Sequence, residues 1–211
     1  MRQNNKYLEV YTILENLIPN PVSELHYSNE FELLIAVMLS AQCTDKRVNI
    51  ITENLFKRYR SPMDFALANL DELEDMIKSC NYYHNKAKNI IKASKDIVDR
   101  FGGKVPSNHT DLISLPGVGN KTANVVEAVA FGFQALPVDT HILRVSNRLG
   151  IIDTKSPDKC EARLKEVFKG CDYGKLHHLL LLFGRYYCMA RTPKCECCVL
   201  KKICKYKNKE N

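Results

Sequence analysis

The sequence predicts an all-α fold, and three observations lead to this class. Apolar residues recur at three- and four-residue spacing through most of the 211 residues, which is the period of helices with one buried face. No segment shows the sustained alternation of apolar and polar residues typical of a half-buried strand. The 45% hydrophobic content can bury a core, which excludes a disordered chain and suits one globular unit or two small, closely joined domains.

Ten helices are predicted, and most are bounded by proline, glycine or a residue that can cap a helix. Residues 30–42 are apolar nearly all round, as in a helix inside the core. Asp45 is expected to cap the third helix, and Ser61-Pro62 to begin the fourth, because proline suits a first helical turn. The expected elements are 7–18, 30–42, 45–59, a short helix from Ser61, 87–101, a short helix ending near Leu115, 120–131, 139–150, a helix from Ser156, and 176–190.

The hydropathy pattern excludes a membrane protein. The longest uninterrupted apolar run, Leu33–Leu39, is far shorter than the roughly 18–20 residues that span a bilayer. The N-terminus has no apolar signal core. We therefore expect a soluble, cytoplasmic protein with no membrane partner.

The positive charge is concentrated at one end of the chain. The formal net charge is +7, and residues 185–211 carry eight basic residues against Glu196 and Glu210, a net of +6. The rest of the chain is thus nearly neutral. A basic excess in one terminal segment indicates a contact surface for a polyanion, or else simply a solvated basic tail.

The cysteines indicate a metal centre. The chain has nine, and four of them are spaced C-x6-C-x2-C-x5-C near its end: Cys188, Cys195, Cys198 and Cys204. Four thiolates within such a short segment can bind either a tetrahedral zinc ion or an iron–sulfur cube, and the spacing alone leaves both open. Cys197, between two of the proposed ligands, is expected to be a spare thiol.

The segment LPGVGNKTANVV (115–126) lies between two predicted helices and is typical of a helix-hairpin-helix that grips a DNA backbone. Gly117 and Gly119 allow a turn whose backbone N–H groups point outward, a geometry that binds phosphate at a helix N-terminus. Lys121 follows in the first turn of the next helix. A neutral amine can attack a sugar carbon; alternatively, Lys121 only contacts phosphate.

Asp139, in the segment VDTHILRVSNRLG (138–150), has two interpretations. An aspartate directly before a helix is most often an N-cap. A carboxylate can also help to deprotonate an amine, or stabilise the positive charge of a sugar transition state as in glycoside hydrolysis. His141 is expected to be structural.

Together these motifs resemble the endonuclease III family of the helix-hairpin-helix DNA glycosylase superfamily. The resemblance rests on residues 115–126, residues 138–150 and the cysteine spacing, and it extends to SAQCTD (40–45) and YYHNKAKNI (82–90). It covers nearly the whole chain. It implies a six-helix domain over 22–133 that contains the hairpin, and an iron–sulfur domain formed by 1–21 and 134–211. It also implies a 4Fe–4S cluster on the four cysteines.

The resemblance also implies roles for single residues. Lys121 corresponds to the lysine that forms a Schiff base with C1′ of the damaged nucleotide, and Asp139 to the carboxylate that assists it. Gln42 corresponds to a residue that fills the space left by the flipped nucleotide. Tyr82 stands where the family commonly has an apolar wedge, usually Leu, and Asn81 where it often has Gly. The expected DNA contacts are Gln42, Tyr82, Leu115, Gly117, Val118, Gly119, Arg191 and Lys194.

The function implied is that of a bifunctional DNA glycosylase and AP lyase of base excision repair. It would remove oxidised pyrimidines from double-stranded DNA and cleave the strand 3′ to the abasic site by β-elimination, acting as a monomer (associated with the nucleoid in a bacterium). The alternative is a monofunctional thymine or adenine mismatch glycosylase of the same superfamily. A non-catalytic DNA-binding or redox-sensing cluster protein is disfavoured by the combination of Lys121 with Asp139.

Overall fold

The structure, a computed structural model, describes residues 2–133 and 135–206. These residues form eleven α-helices and no β-strand, so the predicted all-α class is confirmed. In chain order the helices are α1 (Arg2–Leu17), α2 (Glu30–Ser40), α3 (Asp45–Arg58), α4 (Pro62–Ala66), α5 (Leu70–Ile77), α6 (Tyr83–Phe101), α7 (His109–Ile113), α8 (Asn120–Phe131), α9 (Thr140–Leu149), α10 (Pro157–Val167) and α11 (Tyr173–Tyr186). None of them is long and apolar enough to cross a membrane.

The chain divides into two compact units. The central unit is Ser23–Phe133, and the terminal unit combines Met1–Val22 with Gln134–Asn211. Each unit has its own hydrophobic core, and the two cores share no residue.

Helix α2 is the centre of the central unit. All residues from Leu33 to Leu39 are buried, in agreement with the prediction of a helix that is apolar on every side. It packs against α3, α6 and α8. Helix α8, which follows the predicted glycine hairpin, therefore shares a core with α2. Asn29 caps α2 by accepting a hydrogen bond from the Glu32 N–H at 2.9 Å.

The structure corrects four expectations in the central unit. Helix α6 begins at Tyr83 rather than at 87. Helix α2 ends at Ser40 rather than 42, because Gln42 adopts a left-handed backbone with φ 56°. Thr44, not Asp45, caps α3. The helix α5 was not predicted. The predicted start at Ser61-Pro62 is confirmed, with Ser61 in a capping box.

The terminal unit joins the two ends of the chain. Helix α1 packs against α10 and α11, and Val10 and Leu14 are fully buried in its core. The Tyr7 hydroxyl donates a hydrogen bond to the Gly150 carbonyl at 2.9 Å, which fixes α1 to the end of α9. The last helix runs from Tyr173 to Tyr186 rather than over 176–190, so the four clustered cysteines all follow it in an irregular loop.

Candidate functional site

The helix-hairpin-helix consists of α7, a short turn and α8. The side chains of Leu115 and Val118 are buried and anchor the turn in the core of the central unit. The Val118 N–H donates to the Leu115 carbonyl at 3.1 Å, which closes the turn. His109 on α7 contacts the Glu127 carboxylate at 2.8 Å and the Asn120 side chain at 3.3 Å, and so joins both helices. The turn is therefore held at a fixed position before α8.

The two glycines of the turn are needed for different reasons. Gly117 has φ +81°, a backbone conformation that disfavours any side chain. A Cβ at this position would also lie only 2.8 Å from Cβ of Asn89 on α6, so there is no space for one. Gly119 is the N-cap of α8, and a Cβ there would meet no atom within 4 Å. No side chain caps α8. An uncapped helix N-terminus has backbone N–H groups that can bind an anion.

Lys121 is the second residue of α8, directly beyond this N-terminus, and it is exposed. The sequence predicted this placement from the spacing between Gly119 and the lysine. A primary amine is thus presented beside a site suited to phosphate.

Two exposed residues of the central unit have an unusual backbone. Gln42 (φ 56°) and Tyr82 (φ 58°) are the non-glycine residues with positive φ among the described residues. Gln42 follows α2 and Tyr82 precedes α6, and Tyr82 is 63% exposed. Asn81 joins the two loops, because its Nδ2 donates to the Gln42 carbonyl at 2.8 Å. Such backbones are costly for side-chain-bearing residues and cluster at functional sites.

A pair of cysteines lies beneath these two loops. Sγ of Cys80 is 3.4 Å from Sγ of Cys43. Cys80 is buried, and its burial, followed by its contact with Cys43, raises the pKa of the Cys80 thiol to about 12. Cys80 therefore stays protonated at neutral pH and contributes to packing.

In the terminal unit, Asp139 is the N-cap of α9. Its Oδ1 accepts hydrogen bonds from the N–H groups of His141 at 2.9 Å and Ile142 at 2.8 Å. The capping role is thus observed, and it fixes the orientation of a half-buried carboxylate.

Two arginines on the same helix bind the cysteine loop. Arg144 donates to the carbonyls of Cys188 at 3.0 Å and Gly184 at 2.8 Å, and burial lowers its pKa. Arg148 donates to the carbonyls of Met189 at 2.7 Å and Ala190 at 2.9 Å. Because Asp139 caps this helix, α9 connects the carboxylate directly to the cysteine loop. No sequence motif pointed to either arginine.

The four predicted ligands line one cavity, together with apolar side chains, Arg148 and Lys194. Each is half-buried, and burial raises the pKa of the Cys198 thiol. Cys197 is exposed and does not line the cavity. In the described part of the chain, no three His, Cys, Asp or Glu side chains are arranged to hold a single metal ion.

The cysteine loop carries exposed cations. Arg191 and Lys194 are both solvent-accessible, and Lys194 is fixed by a backbone hydrogen bond to Tyr187 at 2.9 Å and by a cation–π contact with that ring at 5.5 Å. The loop therefore presents positive charge at defined positions.

Comparison with known proteins agrees with these features. A sequence profile of the family described as "HhH-GPD superfamily base excision DNA repair protein" matches residues 35–170. Endonuclease III of Bacillus subtilis (strain 168) is 49% identical over 191 residues, which is 90% of this chain and 87% of that protein.

Solved structures give the same result. A trapped endonuclease III–DNA covalent intermediate is 44% identical with a TM-score of 0.89, covering 95% of both chains. A thermostable thymine-DNA glycosylase is more distant, at 25% identity, a TM-score of 0.83 and 97% of both chains. The predicted resemblance to the endonuclease III family is confirmed, and with it the activity class of DNA glycosylase and AP lyase. The chain belongs to the HhH-GPD superfamily of base excision DNA repair proteins.

Proposed function

We propose that this chain removes oxidised pyrimidines from double-stranded DNA and cleaves the strand 3′ to the resulting abasic site by β-elimination through Lys121. The observation that carries the proposal is the exposed amine of Lys121 in the first turn of an uncapped helix, directly after the glycine hairpin. The likeness to a protein trapped in a covalent complex with DNA supports it.

The amine of Lys121 is the nucleophile. Its nitrogen forms a bond to C1′ of the damaged nucleotide while the bond from C1′ to the base breaks, and the base leaves with that electron pair and a proton. The sugar ring then opens and gives a Schiff base at C1′. Removal of a proton from C2′ expels the 3′ phosphate, which breaks the strand, and water releases the lysine.

Asp139 assists at the sugar. Its Oδ1 is engaged with two backbone N–H groups of α9, so the chemistry falls to Oδ2. A carboxylate there takes a proton from the attacking amine or stabilises positive charge on the sugar ring.

The hairpin grips the DNA backbone. Because the side chains of Leu115 and Val118 are buried, these residues shape the turn, and the phosphate meets the backbone at Gly117, Gly119 and the start of α8. Arg191 and Lys194 add contacts to phosphate from the cysteine loop.

Gln42 and Tyr82 enter the duplex. A base that reacts must first leave the stack, and inserted side chains fill the gap. Both residues are exposed on loops joined by Asn81, and the ring of Tyr82 can stack on a neighbouring base.

The four cysteines Cys188, Cys195, Cys198 and Cys204 hold a 4Fe–4S cluster. The donor set fits this group, since four half-buried thiols line one cavity beside a cationic donor, and four thiolates are its usual ligands. The cluster would supply structural support, keeping the loop with Arg191 and Lys194 in shape.

Borohydride trapping tests the proposal. One duplex carries thymine glycol and a second carries a plain abasic site, with Lys121→Ala as the test variant and Lys95→Ala as a control at another exposed lysine of the central unit. We expect a covalent adduct on both duplexes, lost only in Lys121→Ala. Adduct retained in Lys121→Ala overturns the assignment of the nucleophile, and an adduct on the abasic duplex alone overturns the lesion class.

The second candidate is a monofunctional mismatch glycosylase, favoured by the likeness to a thymine-DNA glycosylase over 97% of the chain. A duplex with a G:T mismatch tests it. Base release without strand cleavage on that duplex, and no release from thymine glycol, would favour this candidate.

A further inference from the structure

The C-terminal end of α2 is bound by side chains from a distant part of the chain. The last carbonyls of a helix lack partners within the helix. Here Nζ of Lys86, on α6, donates to the carbonyls of Leu39 at 2.8 Å and Ala41 at 2.7 Å. Asn81 donates to the next carbonyl, that of Gln42. The carbonyls at 39, 41 and 42 are therefore fixed by two side chains that lie about 40 residues later in the sequence.

Lys86 is unusual for its burial. Only 9% of the residue is exposed, whereas lysine is almost never fully buried unless it is paired. Both acceptors are backbone carbonyls at a helix C-terminus, where the helix dipole favours a cation. Burying an ammonium group costs free energy that these hydrogen bonds must offset. The positions of the two carbonyl groups are therefore tightly restricted, because a small shift would leave the buried charge without hydrogen-bond partners.

These hydrogen bonds stabilise the backbone conformation of Gln42. Its positive φ is a conformation that persists only when the surrounding contacts determine it. Lys86 holds the carbonyl directly before Gln42, and Asn81 holds the carbonyl of Gln42 itself. The side chain of Gln42 is exposed, so a flexible group projects from a fixed backbone.

Helix α6 also contacts the glycine hairpin. Asn89, three residues after Lys86 and thus on the same helical face, is the residue that packs against Gly117. One face of α6 thereby sets the distance between the loop of Gln42 and the glycine turn.

We propose that Lys86, with Asn81, is a positioning residue that holds Gln42 in the backbone conformation from which its side chain enters the duplex. The inference rests on the proposed function, in which Gln42 fills the gap left by the flipped nucleotide. Lys86 itself is buried and acts through the carbonyls of Leu39 and Ala41.

A double-mutant cycle tests this role. The variants are Lys86→Met, Gln42→Ala and the two combined, with Lys86→Arg to restore charge and donors, and Lys88→Met as a control that removes an exposed charge from the same helix. Binding is measured on a duplex with a tetrahydrofuran abasic analogue. A 2-aminopurine beside the gap reports by its fluorescence whether the gap is filled.

We expect Lys86→Met to raise the Kd about tenfold, the size of one charge-assisted hydrogen bond, and to change the fluorescence in the same way as Gln42→Ala. In the Gln42→Ala background Lys86→Met should have little further effect, because the positioned side chain is gone. Lys86→Arg should recover part of the loss, and Lys88→Met should change neither signal.

Additive losses in the double variant would overturn the proposal, since a lysine that only supports the fold acts independently of Gln42. If Lys86→Met does not fold, Asn81→Ala at an exposed position takes its place in the same cycle, with the same two outcomes. A Gln42→Ala variant with unchanged affinity and fluorescence would instead refute the insertion of Gln42, which separates a failure of the proposed function from a failure of this inference.

Discussion

Nη1 of Arg148 lies 3.3 Å from Sγ of Cys188, and the same guanidinium group reaches three carbonyls of the loop that begins there. The ring of Tyr206 covers this guanidinium at 4.1 Å. One side chain of α9 thus holds the start of the cysteine loop, and a donor to this sulfur would stabilise the thiolate that the proposed cluster requires.

Replacing Arg148 by Ala should weaken the cysteine loop. The loss of hydrogen bonds from a charged donor is expected to lower the free energy of unfolding by about 2 kcal/mol and to reduce the iron bound per chain. Thermal unfolding and iron analysis of the purified protein measure both effects. Lys201→Ala, at an exposed position of the same loop, serves as the control. Full iron content and an unchanged unfolding temperature in Arg148→Ala would contradict the prediction.

The hairpin glycines allow a matched comparison. Gly117→Ala should destabilise the protein by roughly 1–3 kcal/mol, because the added methyl group combines a left-handed backbone with overpacking against Asn89. Gly119→Ala should cost less than about 1 kcal/mol, since only the cap is weakened. Its affinity for an abasic duplex should nevertheless fall, because the methyl group stands where a phosphate approaches.

Chemical denaturation and fluorescence anisotropy together separate these two effects. Equal losses of stability in both variants would show that the contact between Gly117 and Asn89 has no energetic weight. Unchanged DNA affinity in Gly119→Ala would show that the hairpin does not contact phosphate.

Salt dependence should identify the cationic contacts. Arg191→Ala and Lys194→Ala are each expected to reduce the slope of log K against log salt by about 0.9, the effect of one lost phosphate contact. The loss of affinity should be the same for damaged and undamaged duplexes, because phosphate carries no sequence information. Lys57→Ala is the control, as its ammonium is paired with Glu53 at 3.2 Å in the central unit. Slopes that match the unaltered protein would exclude both residues from the interface.

Alkylation by iodoacetamide should discriminate between two cysteines. The thiolate is the reactive form, and burial raises the pKa of the Cys80 thiol to about 12. At pH 8 the exposed Cys197 should therefore react well before Cys80 in the folded protein, as measured by peptide mass spectrometry.

The raised pKa of Cys80 also means that the folded state holds this proton more tightly than the unfolded state. Its contribution to stability is complete below the ordinary cysteine pKa and is lost as the pH rises through about 12. Equal reaction rates of the two thiols at pH 8 would contradict this account.

Most of the helices could be predicted because their signals are local. Apolar spacing, Pro62 after a capping serine and Gly150 after α9 are all visible within one or two turns. The helix α5 was missed because neither proline nor glycine bounds it and its buried face consists of only Leu73 and Ile77, although Asn69 caps it. The end of α2 was misplaced because the apolar pattern continues past Ser40, while the turn at Gln42 depends on contacts with α6.

In the candidate site, too, local motifs could be predicted and long-range contacts could not. Lys121, Asp139 and the glycines belong to motifs whose spacing is readable in the sequence. Lys86 and Arg148 act through residues about 40 positions away, and no periodicity connects a lysine on α6 with a carbonyl on α2. Neither contact could be derived without the packing of the helices.

The terminal unit has a consequence for how the protein is made. Helix α1 packs against α10 and α11, which are synthesised more than a hundred residues after it. The central unit is continuous in sequence and has all its residues once position 133 has left the ribosome. Translation therefore favours folding of the hairpin unit first, while the apolar face of α1 stays open to solvent and to chaperones. A nascent chain halted before α10 would carry a folded central unit and an N-terminal helix without its partners.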